Sequence, residues 1–174
     1  MINIILYQPE IPSNTGNILR TSAATGSLVH IIGPTQFTLN DESLKRAGMD
    51  YIDMDHIFYY ESYEDFLKVH GDKKIHYITR YGHKPCDSFD FSDVSEDYYV
   101  MFGKESTGIP KEILKNNLDT CIRLPMNDKI RALNMSNVCA IIVYEALRQQ
   151  DYNDLLTEEP ECFKGKDWLL TEDE

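Results

Sequence analysis

The sequence predicts an α/β fold: a mainly parallel sheet flanked by helices. Three observations carry this. Short β-rich apolar runs alternate with helix-like segments along residues 1–150. The chain opens on a strand–helix–strand unit, and its longest apolar helix closes it. With 174 residues and 42% apolar content, a single domain can bury a real core.

Taken in order, residues 2–7 are an apolar run that reads as a strand. Residues 13–25 form a helix with Ser13 or Asn14 as N-cap and Gly26 as stop, and residues 28–32 (Leu-Val-His-Ile-Ile) a second strand. Asp41 through Ala47 suggests a short helix closed by Gly48, residues 51–59 look extended, and Tyr63 to Val69 is a helix ending near Gly71. Ile75–Thr79, Tyr98–Phe102 and Thr120–Leu124 are strand candidates. Pro110–Lys115 is a short helix with proline in its first turn. The last helix runs from about Asn134 to Gln149, and its centre, Val138 to Tyr144, is apolar all round. Such a helix needs cover on several sides; one side can pack on the sheet and another on a second subunit, which predicts a homodimer. Residues 151–174 read as an acidic, partly ordered tail in which Phe163, Trp168, Leu169 and Leu170 offer something to dock with.

Composition excludes several classes. The N-terminal apolar run is too short for a signal peptide or a membrane span, and the four cysteines, Cys86, Cys121, Cys139 and Cys162, show no CxxC and no disulfide framework. A soluble cytoplasmic protein with reduced thiols is expected. The net charge of −12 argues against a nucleic-acid partner until it is localised. From Asp151 onward nine acidic and two basic residues give −7, so residues 1–150 carry only −5. Arg20, Arg80, Lys84, Lys104, Arg123, Lys129 and Arg131 lie in or beside three polar segments, and a local positive surface is compatible with the acidic total.

Familiar motifs fail. Gly103-Lys104-Glu105-Ser106 lacks both the glycine five places upstream and the hydroxyl residue after lysine that a phosphate loop needs. No GxGxxG follows the first strand and no GxSxG elbow occurs. The five histidines show no HExxH pairing; Asp53 and Asp55 could share a strand face, but a solvated face explains them, and no metal is expected.

Three segments remain, each at a junction of strand and helix, where open α/β sheets bind ligands. Asn14-Thr15-Gly16-Asn17-Ile18-Leu19-Arg20 follows the first strand, and Asn14 and Arg20 could approach one face from different depths. A helix cap and a surface cation would explain the same residues. Phe102-Gly103-Lys104-Glu105-Ser106-Thr107-Gly108 ends a strand at a glycine that lets a flat ring approach, though it could be only a tight turn. Arg123-Leu124-Pro125-Met126, followed by Arg131-Ala132-Leu133-Asn134-Met135-Ser136-Asn137, puts a long loop before the apolar helix, with capping by Asn134 or Ser136 in addition.

Together, in this order, the segments N-x5-R, FG-x-E-x-x-G and (S/A)-x-N-x-S resemble the SPOUT superfamily of RNA methyltransferases, in its ribose 2′-O branch. YQPEIPSNTGNILR, RLPM and LNMSN followed by VYEALRQ resemble its one-domain group acting on the wobble nucleotide (position 34) of tRNA. The resemblance spans Met1 to about Gln150 and leaves out the tail. It implies an α/β knot with a deep C-terminal trefoil, over about residues 75–150, in a homodimer that binds a tRNA anticodon stem-loop. It implies S-adenosylmethionine as methyl donor, held near Ile78, Thr79, Gly103, Leu124, Met126 and Ala132. It also implies Arg20, Asn14, Glu105, Asn134 and Ser136 around the target ribose, with Arg80, Lys84, Lys104, Arg123, Lys129 and Arg131 on the RNA. One departure stands out: Ala132 occupies a place where many such enzymes have serine, which excludes a side-chain hydroxyl there. A catalytically silent knotted RNA-binding module, or an enzyme for another RNA site, are the alternatives.

Overall fold

The computed structural model describes residues 1–37 and 54–171. Strand β1, Ile2–Tyr7, is flanked by β2, Leu28–Ile32, and by β6, Tyr98–Phe102. Strands β3 (Ile57–Tyr60), β4 (Ile75–Ile78), β5 (Lys84–Pro85) and β7 (Cys121–Arg123) complete a seven-stranded sheet of order β3-β2-β1-β6-β4-β7-β5. Every pairing is parallel, as the alternation of strands and helices predicts. Helices α1 (Pro12–Thr25), α2 (Tyr63–His70), α3 (Lys111–Lys115) and α4 (Met135–Gln149) supply the cover.

Side chains alternate between two cores because successive strand residues face opposite sides. Ile4, Leu6, Val100 and Phe102 join Ile18 and Leu19 of α1 and Cys139, Ile142, Val143 and Ala146 of α4. On the other face Ile5, Tyr99 and Met101 pack with Phe66 of α2 and with Ile109 and Leu114. Burial on both faces explains why the strands read as continuous apolar runs.

Several expectations shift. Helix α1 begins at Pro12, with Ile11 in the cap position and no side-chain cap bond. Proline pre-sets the first-turn dihedral and has no amide hydrogen to satisfy, and the Asn14 amide is engaged elsewhere. The extended reading of 51–59 gives way to a 3₁₀ turn at Met54–His56 before β3, with 51–53 outside the described residues. The helix expected at Asp41–Ala47 also lies outside them, as does Asp53. Strand β5 is too short to leave a pattern. Helix α2 is capped at its start by Ser62, whose hydroxyl accepts from the Asp65 amide at 3.1 Å, and at its end by Gly71, as expected.

Helix α4 is not covered all round within the chain. Its Ser136, Cys139, Ile142, Val143, Ala146 and Leu147 are buried, whereas Ile141 and Tyr144 are 44% and 46% exposed. The tail is tied down by Leu155, which packs on the first core, rather than by Phe163, Leu169 or Leu170, which stay in solvent. Trp168 is half-exposed beneath the Lys164 ammonium, 3.9 Å from its ring centre. Among the described residues no helix is long and apolar enough to cross a membrane. All four cysteines are free thiols.

Candidate active site

The carboxyl ends of β1, β4 and β6 and the N-terminal end of α4 surround a cleft of ≈ 550 Å³. Its apolar wall is Ile78, Phe102, Ile109, Met135 and Val138; its polar rim includes Asn14, Thr79, Arg80, Lys104, Glu105, Arg131 and Asn134. Such a mix of apolar walls and few polar groups, at that size, suits a small organic ligand.

One chain of hydrogen bonds joins the three polar segments. The Ser136 hydroxyl donates to Asn134 Oδ1 at 2.6 Å, Asn134 Nδ2 donates to Asn14 Oδ1 at 2.9 Å, and Asn14 Nδ2 donates to Glu105 Oε1 at 3.0 Å. An ionised carboxylate only accepts, so Glu105 fixes which way the Asn14 amide faces, and Asn14 in turn fixes Asn134. Asn134 is also the N-cap of α4, accepting from the Ser136 amide at 2.9 Å. The capping role and the role in the site are therefore the same bond network.

Glu105 further accepts from the Glu10 and Ile11 amides, at 2.9 and 3.4 Å. The loop repays this contact: Glu10 accepts from the Ser106 amide and hydroxyl, both at 2.9 Å, bonds that hold its carboxyl below the usual carboxylate range. Lys104 Nζ donates to Gln8 Oε1 at 3.2 Å. Residues 8–11 and 104–106 thus form a clasp. Glu10 and Gln8 escape the reading of sequence alone, where only the proline-bounded QPEIP stretch hints at a fixed conformation.

Gly103 is needed for a different reason from the one expected. A Cβ there would sit 2.2 Å from the Ile109 amide nitrogen and 2.5 Å from the Gly108 carbonyl carbon. The space is filled by the loop's own return, closed by the Gly108 amide on the Lys104 carbonyl at 2.8 Å, and not by room for a ligand ring. Ile78, Thr79, Gly103 and Ala132 nevertheless line the cleft. Leu124 packs against the first core instead, and neither it nor the half-buried Met126 reaches the wall.

The basic residues divide. Arg80, Lys104 and Arg131 stand on the cleft, while Lys84, Arg123 and Lys129 lie outside its lining. Arg123 donates a guanidinium hydrogen to the Arg80 carbonyl, which pins the turn after β4. Arg20 does not converge with Asn14. Six residues along a helix turn a side chain by about 600°, leaving the two roughly 120° apart, and Arg20 is exposed where Asn14 is buried. It makes no hydrogen bond or ion pair among the described residues.

Known proteins are similar to this chain over most of its length. The sequence profile of the SpoU rRNA Methylase family matches residues 1–144. The tRNA (cytidine(34)-2′-O)-methyltransferase of Escherichia coli (strain K12) is 39% identical over 153 residues, covering 87% of this chain and 96% of its own. A Bacillus subtilis (strain 168) protein, provisionally assigned the same activity, is 49% identical over 154 residues, covering 88% and 96%. A solved structure described as giving insights into 2′-OH methylation of C/U34 on tRNA superposes with a TM-score of 0.77 at 34% identity, covering 88% of this chain and 98% of its own. With four-fifths of its length matched by the family profile and relatives of this identity spanning the same residues, the chain belongs to the SpoU rRNA methylase family.

Proposed function

We propose that the protein transfers a methyl group from S-adenosylmethionine to the ribose 2′-hydroxyl of nucleotide 34, cytidine or uridine, in a tRNA anticodon loop. The observation that carries this is the Ser136–Asn134–Asn14–Glu105 chain on the edge of the cleft, in a chain of this family. The activities assigned to the E. coli and B. subtilis relatives supply the substrate.

The residues present fit the donor. Ile78, Phe102 and Val138 offer apolar surface for a purine, and Thr79, Gly103 and Ala132 place backbone groups beside it. Bound there, the sulfonium supplies an electrophilic methyl, so positioning is the protein's main task. The ribose oxygen would take the methyl, leaving S-adenosylhomocysteine, and give up its proton to water, and developing negative charge on it needs a fixed cation or donor. Asn14, oriented by Glu105, and Asn134, oriented by Ser136, are the groups we assign to hold the hydroxyl.

Arg20 is assigned the cation, as an electrostatic clamp and not a base, since a guanidinium resists deprotonation. Its outward direction on α1 is accounted for by a homodimer: α1 packs against α4, and the exposed Ile141 and Tyr144 of α4 form an apolar face for a second copy. In that arrangement Arg20 of one subunit serves the cleft of its partner, and Arg80, Lys84, Lys104, Arg123, Lys129 and Arg131 of both subunits track the RNA backbone. We further assign residues 1–150 to one methyltransferase domain, with 75–150 threaded as a trefoil knot, and 151–174 to an appended acidic tail. The position of β4 between β6 and β7, with the following turn pressed on the β7 backbone, supports that threading. A cytoplasmic location follows from the substrate.

Nucleoside mass spectrometry of tRNA from cells with and without the gene tests the assignment. Loss of the 2′-O-methyl nucleoside at position 34 on deletion is the expected result; unchanged levels would remove the substrate.

A further inference from the structure

Tyr81 has no part in the reading above. It lies on the cleft wall and is 61% exposed, whereas Phe102, the other aromatic there, is buried. A tyrosine that serves packing hides its ring; this one is held out in solvent by a rigid turn. The Tyr81 amide donates to Thr79 Oγ1 and the Gly82 amide to the Thr79 carbonyl, both at 3.3 Å. A Cβ on Gly82 would stand 2.8 to 2.9 Å from backbone atoms of Cys121, Ile122 and Arg123, so the turn rests directly on β7.

The ring also carries a cation. The Arg80 guanidinium lies 4.7 Å from the Tyr81 ring centre and donates to its hydroxyl at 2.5 Å, and the Arg80 carbonyl is itself held by Arg123. A cation on one side of an exposed ring, at the mouth of a ligand cleft, is the chemistry that receives a flat unpaired base and the phosphate beside it. The turn that carries both residues needs no ordering on binding, because its bonds to Thr79 and the Arg123 guanidinium already hold its backbone.

We propose that Tyr81 is the platform on which an unpaired base of the RNA substrate stacks, a specificity-determining contact of the same cleft. This rests on the reading of the chain as an RNA ribose methyltransferase. The Tyr81 ring selects single-stranded nucleotides for their exposed faces, while Arg80 contributes charge without choosing a sequence.

The test uses the full chain and anticodon stem-loop RNAs in which 2-aminopurine replaces, one at a time, the loop nucleotides flanking position 34. Quenching of one probe on binding is expected with the wild type and with Tyr81→Phe, and is lost with Tyr81→Ala and Tyr81→Leu. RNA affinity and the RNA KM should worsen about 5- to 100-fold in the last two variants. The value of kcat and the calorimetric affinity for S-adenosylmethionine should stay within about twofold. Unchanged RNA affinity in Tyr81→Ala overturns the proposal, as does a selective loss of S-adenosylmethionine affinity, which would put the ring in the donor's pocket. The two readings separate: wild-type protein that quenches the probe yet methylates nothing at position 34 sinks the activity and keeps Tyr81. Full methylation with an unaltered KM in Tyr81→Ala does the reverse.

Discussion

Asn14 Nδ2 donates to Glu105 Oε1 at 3.0 Å, across ninety-one positions of sequence, and so ties the first turn of α1 to the loop that follows β6. That bond decides the direction of every later donor in the chain to Ser136, because the carboxylate can only accept. The site depends on a polar connection between segments far apart in the sequence.

Replacing Glu105 with Gln keeps the shape and removes the obligation to accept. Asn14 then has no fixed orientation, and three donors share a weaker acceptor. We expect a loss of about 1–3 kcal/mol in stability and at least a tenfold fall in kcat. Urea denaturation together with single-turnover methylation measures both; wild-type turnover in Glu105→Gln would show that the network is only structural.

Arg20 should behave in the opposite way. It is exposed and has no partner among the described residues, so Arg20→Ala should shift stability by less than about 0.5 kcal/mol while abolishing methyl transfer. Arg20→Lys retains charge without the planar fork, and we expect it to lose most activity. Near-normal turnover in Arg20→Lys would argue for a simple positive charge.

Gly103→Ala has nowhere to put its methyl group, given a backbone nitrogen at 2.2 Å. The return of the loop must open, at a cost of about 1–3 kcal/mol. Thermal unfolding and S-adenosylmethionine titration should both register it. A variant as stable as wild type would mean that the loop closes differently.

Acid should destabilise the fold before its carboxylates titrate. Burial lowers His30 and His76 from 6.5 to about 4, and His30 sits between Asn3 and Tyr60 at 3.0 and 3.1 Å. A group with a depressed folded pKa contributes stability above its unfolded value, lost as pH falls toward the folded value. Stability should therefore drop between about pH 6.5 and 4, and His30→Gln should make the drop shallower. Chemical denaturation at half-unit intervals reads this; a flat curve over that window contradicts the burial of neutral histidine.

Ile141→Glu or Tyr144→Glu should yield a 20.2 kDa monomer in sedimentation at micromolar concentration and no methylation, while the wild type sediments as a dimer. A monomeric wild type that remains active would remove the shared site.

Much of this was legible in the residues. The apolar runs at 2–7, 28–32 and 98–102 name their strands because a parallel sheet buried on both faces needs them apolar throughout. Asn14, Glu105, Asn134 and Ser136 stand out as polar residues at strand–helix junctions, and the fold brings all four together. Other features were not legible. Strand β5 has two residues and no period, and the Glu10–Ser106 clasp joins positions nearly a hundred apart with no local signature. The spacing of Asn14 and Arg20 suggested a shared face, but a helix sends them apart. The resemblance implies Leu124 beside the methyl donor, whereas its side chain packs against the first core. Helix periodicity alone decides the case of Arg20; in the others the deciding information was a tertiary contact.

The most direct measurement is methyl transfer from labelled S-adenosylmethionine to two anticodon stem-loops that differ only at nucleotide 34, one with a ribose and one with a 2′-deoxyribose. Ribose 2′-O-methylation at position 34 puts label on the ribose oxygen of the first and none on the second. Equal labelling of both, or label on a base, would contradict it.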